Sequence, residues 1–353
     1  MHEEFTGTMA VQERHRFDIA GLERYMQSHV AGFQGPLTAE QFKGGQSNPT
    51  FLLRTPGERY VLRRKPPGKL LPSAHAVDRE YRVITALQGS DVPVAKTYCL
   101  CEDDSVIGTA FYIMSYVEGR VIWDGSMPGA HPDERRAIYD QLNRVLAALH
   151  KVDYEKAGLA SYGKPGNYIE RQIGRWVKQY RASETERIEA MENLMEWLPK
   201  NIPAAEETSI VHGDYRVDNT IFHGSEPRML AVLDWELSTL GHPLADFAYH
   251  CMYWRLMPGE FRGIAGLDHK ALGIPTEEEY VEAYCRRTGR GEIQNWDFYM
   301  AYNMFRLAAI LQGIMGRVVD GTASSAHAIE QGKRARPMAE AGWRQVEKML
   351  KGN

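Results

Sequence analysis

The hydrophobic pattern of the chain changes period twice. After a polar stretch over residues 1–16, Ile19 to His29 sets Leu22, Tyr25 and Met26 on one helical face, with Asp18 in the N-cap position. From Leu37 to about Ser115 the pattern shortens to that of strands. Thr50–Arg54 and Tyr60–Arg64 flank Pro56-Gly57, a turn pair. A helix is predicted over Ala76–Leu87, then strands over Lys96–Leu100 and Ala110–Tyr116. Beyond Glu118-Gly119 the period becomes helical. Pro132 suits a first helical turn, and the helix runs to about His150 with Leu142, Val145, Leu146 and Leu149 inward. Residues 167–182, 184–198, Pro243–Trp254, Thr276–Arg287 and Asn295–Val319 read as further helices. A strand-rich island, Ser209 to Leu233, interrupts them. The expectation is an α+β protein with a small β-rich N-terminal lobe, residues 1–118, and a larger helical C-terminal lobe, residues 119–353.

Composition narrows the function classes. The 353 residues are 43% hydrophobic and 25% charged, with a formal net charge of -4. That balance fits a soluble globular protein and offers no basic field for nucleic acid or an anionic membrane. The N-terminus, MHEEFTGTMAVQERHRFD, has acids and no apolar core, unlike a signal peptide. No run approaches the roughly 18 apolar residues of a membrane-spanning helix, so a cytoplasmic location is expected. Cys99 and Cys101 fall on one face of a strand, but Cys251 and Cys285 make no second close pair. Free thiols are expected rather than a zinc site.

Two segments carry chemistry. Ile210-Val211-His212-Gly213-Asp214-Tyr215-Arg216-Val217-Asp218-Asn219 is a short apolar strand entering a loop with His-x-Asp-x-x-x-x-Asn spacing. Phosphoryl transfer asks a protein mainly for positioning and charge neutralisation. Asp214 would accept the proton of an attacking hydroxyl, His212 would brace the loop, and Asn219 would reach a metal ion. Met229-Leu230-Ala231-Val232-Leu233-Asp234-Trp235-Glu236 is the second segment, an apolar run ending in carboxylates twenty residues after Asp214. Asp234 would hold Mg²⁺, which takes few carboxylates and keeps phosphate and water for the rest of its shell. Glu236 is open to a water, a substrate amine or no ligand.

Upstream, Gly44, Gly45, Ser47 and Asn48 form a phosphate-cradle candidate, without the Gly-Lys-Ser/Thr of a Walker loop. Val61 and Arg63 share one face of the next strand, and Glu80 on the following helix is positioned to pair with Arg63. The strand ending at Ser115 and Val117 would offer backbone groups to adenine.

In this order, HGDYRVDN and VLDWE make the chain resemble the aminoglycoside phosphotransferase/choline kinase superfamily over roughly residues 37–320. YVLRRKPPGKLLPSAHAVDREYRV, NYIERQIGRWVKQY and Leu240-Gly241-His242-Pro243-Leu244-Ala245-Asp246 resemble more closely the kinase-like domains fused to acyl-CoA dehydrogenases, and their free-standing bacterial relatives. The resemblance implies a bilobal protein-kinase-like fold, ATP and Mg²⁺, with Asp214 as base and Asn219 and Asp234 as metal ligands. It also implies that Asp246 bonds the catalytic-loop backbone. Arg63 departs from the usual Lys, exchanging a mobile point charge for a planar fork.

The acceptor is expected to be a small molecule. Asn303, Arg306, Gln312 and Arg317 lie in an apolar helical frame, and Arg171, Arg175 and Lys178 lie beside Tyr168, Trp176 and Tyr180. As a set they favour an anionic or acyl-bearing hydroxy compound over a polycation, the acceptor being expected to be neutral or anionic with Arg306 and Arg175 near its acidic part. The resemblance to the domains fused to acyl-CoA dehydrogenases points towards a hydroxyacyl compound. Glu236 or Asp246 would be the protein partners of Arg306 if its role were structural. The alternatives are an aminoglycoside-type antibiotic phosphotransferase and a nucleotide-binding pseudokinase. A protein kinase is disfavoured, because no Ala-Pro-Glu follows Asp234 and only twelve residues separate it from Asp246.

Overall fold

The computed structural model describes residues 6–43, 48–66, 76–322 and 327–352, and the chain divides into two compact units. The first comprises the chain up to Trp123 together with Ala157–Leu159 and Asp218–Ser238, and the second comprises Asp124–Lys156, Ala160–Val217 and Thr239–Asn353.

The first unit is built on an antiparallel sheet. Its strands are β1 (Thr8–Met9), β2 (Thr38–Phe42), β3 (Thr50–Arg54), β4 (Arg59–Arg64), β5 (Thr97–Cys101) and β6 (Phe111–Ser115), in the order β1-β2-β3-β4-β6-β5. Strand alternation sorts the residues by face. Phe51, Leu53, Tyr60, Leu62, Cys99, Cys101, Phe111 and Ile113 join Leu22 and Met26 of helix α1 (Ile19–His29) in one core. Burying each large apolar side chain contributes roughly 1.5–3 kcal/mol. The opposite face carries Val61, Arg63 and Tyr112, with Arg63 opposite Tyr112 in the β4–β6 register. Helix α2 (Val77–Leu87) follows.

The first unit also holds a second, smaller sheet. Strands β7 (Arg120–Val121), β9 (Thr220–Phe222) and β10 (Met229–Val232) are ordered β10-β9-β7. This sheet explains why the boundary differs from the expected residue 118. Arg120 and Val121 pair with Phe222 and Ile221, so the strand-rich island from Asp218 to Ser238 groups with the N-terminal sheet rather than with the helices.

The second unit is mainly helical: α3 (Pro132–Lys151), α4 (Tyr168–Ala182), α5 (Glu189–Trp197), α6 (Pro243–Cys251), the short α7 (Pro258–Phe261) and α8 (His269–Leu272), α9 (Glu277–Thr288), α10 (Trp296–Val319), α11 (Ala328–Gly332) and α12 (Ala335–Gly352). A two-stranded ribbon, β8 (Ser209–Val211) with β11 (Thr239–Gly241), pairs Val211 with Thr239 and Ile210 with Leu240. Helix α10 is buried along most of its length and packs against α4, α6 and α12.

Several details differ from the sequence reading. Asp18 occupies the N-cap position of α1 but makes no cap hydrogen bond, and its carboxylate lies 3.7 Å from Arg24 instead. The helix expected over 184–198 begins only at Glu189. Helix α6 ends at Cys251 and continues as a 3₁₀ turn, Met252–Arg255. Helices α11 and α12 were not anticipated, although Met338, Ala339, Gln345 and Val346 are buried at helical spacing. The four cysteines are buried free thiols, and no described helix is long and apolar enough to cross a membrane.

Gly119 lies against β9, just before the paired residues of β7. A Cβ there would lie 2.3 Å from the Phe222 carbonyl oxygen and 2.5 Å from Ile221 Cγ2. Backbone cannot swing aside as a side chain can, so Gly119→Ala should destabilise the protein by about 1–3 kcal/mol. Denaturant titration beside the wild type reads this directly.

Candidate active site

Residues 212–214 follow strand β8 as a tight loop, and Gly213 adopts φ 83°, a backbone region open to glycine at little cost. What fixes this loop is Asp246, one turn into α6. Its Oδ2 accepts the His212 N–H at 2.7 Å and its Oδ1 accepts the Gly213 N–H at 2.8 Å. His150 Nε2 lies 3.2 Å from the same Oδ2. Burial alone would raise the Asp246 carboxyl, but the hydrogen bond and charge of His150 and the bonds from His212 hold it below the usual carboxylate range. Helix α6 is itself well started, with Pro243 in the first turn and His242 Nδ1 accepting the Leu244 N–H at 3.2 Å. The backbone bonding implied for Asp246 is therefore present.

His212 is fully buried, and its Nδ1 accepts the Asp214 N–H at 3.2 Å, a bracing contact within the loop. Asp214 keeps about a fifth of its side chain exposed. Its Oδ1 accepts the Tyr249 hydroxyl at 2.5 Å and lies 3.2 Å from Arg216 Nε. The sequence reading named neither neighbour. Arg216 was legible two residues along the motif, and Tyr249 lies three residues after Asp246 on the same helical face.

Arg306 reaches this loop from α10. Its Nη2 donates to the Gly213 carbonyl at 2.6 Å, and its guanidinium lies 5.0 Å from the Tyr249 ring and 5.8 Å from the Trp176 ring. Its guanidinium thus meets a carbonyl and two aromatic faces, and Asp246, suggested as its structural partner, is engaged by the loop amides and His150. The other polar residues of α10 also serve main chain. Asn303 donates to the Ala245 and Tyr299 carbonyls, and Gln312 donates to the Ser183 carbonyl. Arg171 of α4 donates to the Lys164 and Gly166 carbonyls, whereas Arg175 is exposed, 5.3 Å from the Trp176 ring. The cation set that suggested an anionic acceptor thus reduces to Arg175 and surface charges.

In the first unit, the metal-ligand candidates are brought together by the small sheet. Val232 pairs with Thr220, and the Leu233 N–H donates to the Asn219 carbonyl at 2.8 Å. Asn219 and Asp234 therefore flank the same end of the β9–β10 ribbon. Asp234 has φ 62°, left-handed backbone that a non-glycine residue adopts rarely, often at functional positions. An amide oxygen and a carboxylate are hard donors, and they fit Mg²⁺.

Arg63 organises the charges around Asp234. Its Nη2 donates to Asp234 Oδ1 at 2.8 Å and lies 3.8 Å from Glu236 Oε2, while Nε lies 2.7 Å from Glu80 Oε2. The sequence-predicted Arg63–Glu80 pair is thus formed. Burial opposes the arginine's charge, but Glu80, Tyr112 and Asp234 hold its pKa above the ordinary value. Burial pushes the Glu80 carboxyl up, yet Arg63, Tyr112 hydroxyl at 3.1 Å and Asn48 Nδ2 at 2.7 Å supply the partners an ionised carboxylate needs. The Asn48 amide is thus bonded to Glu80. Gly44, Gly45 and Ser47 lie outside the described residues. The Ser115 N–H already donates to the Lys96 carbonyl at 2.8 Å, which withdraws it as an adenine donor, while Val117 lies just past β6.

Fold and site together define a kinase-like phosphotransferase. The chain belongs to the phosphotransferase enzyme family, whose model matches residues 38–302. A Ralstonia eutropha JMP134 crystal structure bearing the name aminoglycoside phosphotransferase is 64% identical, with TM-score 0.89 over 94% of this chain and 99% of that one. Mouse acyl-CoA dehydrogenase family member 10 is 50% identical over 91% of this chain and 30% of its own length. Rat family member 11 is 44% identical over 95% of this chain and 44% of its own. The chain thus spans less than half the length of these curated relatives. More distant structures share the fold. A thermostable mutant of aminoglycoside phosphotransferase APH(4)-Ia, solved as a ternary complex with AMP-PNP and hygromycin B, has TM-score 0.57 at 17% identity, over 92% of this chain and 98% of that one. Choline kinase from Cryptosporidium parvum has TM-score 0.65 at 11% identity, over 95% and 97%. These findings bear out the family resemblance and the protein-kinase-like fold.

The buried aromatic cluster behind the loop carries a pH signature. His250 is buried against Tyr215 and Tyr280, and burial lowers its pKa to about 4. The native ring is therefore neutral, and unfolding takes up a proton below pH 6.5. Stability from this group is present above pH 6.5 and is lost as pH falls toward 4, by about 3 kcal/mol. Urea midpoints at pH 7 and pH 4.5 should differ by visibly less in His250→Asn than in the wild type.

Proposed function

We propose that the protein transfers the γ-phosphoryl group of ATP to a hydroxyl of a small molecule. The observation that carries this reading is the loop grip of Asp246, which leaves Asp214 at a fixed, partly exposed position directly after two amides bonded to one carboxylate. In this reading Asp214 accepts the acceptor's proton as its oxygen bonds to phosphorus and the bond to the departing ADP oxygen breaks. Asn219 and Asp234 would hold Mg²⁺, which when bound offsets phosphate charge. Arg63, held by Glu80 and Asp234, would supply fixed positive charge near the phosphates. Val117 offers main chain to adenine. AMP-PNP in the related fold of APH(4)-Ia supports the nucleotide assignment.

For the acceptor, we favour a neutral or anionic hydroxy compound, a hydroxyacyl compound in particular. Support comes from the kinship with acyl-CoA dehydrogenase family members. Arg175, exposed on α4, remains a candidate for its acidic part, and Glu236 for its polar part. An aminoglycoside acceptor is the second reading, favoured by the name of the Ralstonia relative. Phosphorylation of kanamycin-like polyamines with no turnover on hydroxy acids or hydroxyacyl thioesters would decide for it.

Two substitutions test the machinery. Asp214→Asn should lower kcat by roughly 10²–10⁴-fold and leave ATP affinity nearly intact. Asp218→Asn should stay active, and the reverse ranking would overturn the assignment of the base. Asp234→Asn should weaken Mg·ATP in calorimetry far more than metal-free ATP, and equal Mg·ATP affinities would remove Asp234 from the metal site.

A further inference from the structure

One helix approaches the catalytic loop at two points. Asp246 and Tyr249 are one turn apart on α6, so their side chains leave the same face. Asp246 takes the two loop amides, and Tyr249 takes the carboxylate of the next residue, its hydroxyl 2.5 Å from Asp214 Oδ1. The Tyr249 ring, 5% exposed, also lies 5.0 Å from the Arg306 guanidinium, which holds the Gly213 carbonyl at 2.6 Å. Three side chains thus hold successive polar groups of three consecutive loop residues.

We infer that Tyr249 is a positioning residue for the base: its hydroxyl fixes the rotation of the Asp214 carboxylate, and its ring seats the arginine that fixes the preceding carbonyl. This rests on the reading of Asp214 as base. A carboxylate on a single-bonded stem rotates readily, and a reacting oxygen displaced by an ångström loses much of its rate advantage. A phenol suits the task. Burial, and then the Asp214 charge, raise the Tyr249 pKa well above its ordinary value, so the hydroxyl stays a donor and never competes as a base. Arg216, 3.2 Å from the same oxygen, adds charge from within the loop, whereas Tyr249 supplies a hydrogen bond from a separate, rigid element.

The test is Tyr249→Phe, which keeps the ring and its arginine contact and deletes only the hydroxyl. Turnover is read as ATP hydrolysis with water as acceptor, and as ADP release with 3-hydroxybutyryl-CoA as a hydroxyacyl probe. The expected result is a kcat lowered roughly 10- to 100-fold, with KM for ATP and the melting temperature close to wild type. A crystal structure of the variant should show the Asp214 carboxylate rotated or in two conformers. A kcat equal to wild type, or an unmoved single carboxylate conformer, overturns the inference. Asp214→Asn serves as the companion. If it retains wild-type turnover, the base assignment fails and Tyr249 falls with it. If it is inactive while Tyr249→Phe is fully active, only the positioning role falls. The structural readout decides even where turnover is below detection.

Discussion

The bonds from the His212 and Gly213 amides to the buried carboxylate of Asp246 are the contact on which the order of the loop over residues 212–214 depends. A loop of His, Gly and Asp has little apolar surface with which to fix itself, and two main-chain N–H groups left unpaired in this interior would each cost about 1–3 kcal/mol. Asp246 removes that cost and sets the loop's direction in one step. It is itself stabilised as an anion by His150, which meets Tyr284 Oη at 2.7 Å on its other nitrogen. The order of dependence runs from the aromatic core, through His150 and Asp246, to the backbone of residues 212 and 213, and then to Asp214.

The first unit solves a different problem, that of holding several like charges close together. Glu80, Asp234 and Glu236 all lie within 4 Å of one guanidinium. A lysine would present its donors from a single point, whereas the planar fork of Arg63 meets Glu80 through Nε and Asp234 through Nη2, two separated nitrogens. Tyr112 and Asn48 complete the coordination of Glu80. The arginine at this strand position is thus matched by its surroundings.

The helical residues that looked chemical in the sequence show where such reading misleads. Asn303, Gln312 and Arg171 are among them, and each proves to donate to main-chain carbonyls. Buried main chain needs donors as much as ligands do. Arg306 belongs with them by geometry, although the carbonyl it holds is the one beside Asp214.

The sequence by itself determined the strands and helices that alternate at periods of two and 3.6, the family, and the residues of the loop and of the Asp234 strand end, because these are encoded within short contiguous runs. Even the Arg63–Glu80 pair was legible, since one residue faces out of β4 and the other opens α2 seventeen residues later. Only the tertiary structure decided that Asp218–Ser238 joins the N-terminal sheet, since the pairing of β7 with β9 joins segments a hundred residues apart. The same holds for Tyr249 and Arg306, whose roles depend on which way a helix face turns once packed, and that is fixed by the neighbours it packs against rather than by its own pattern.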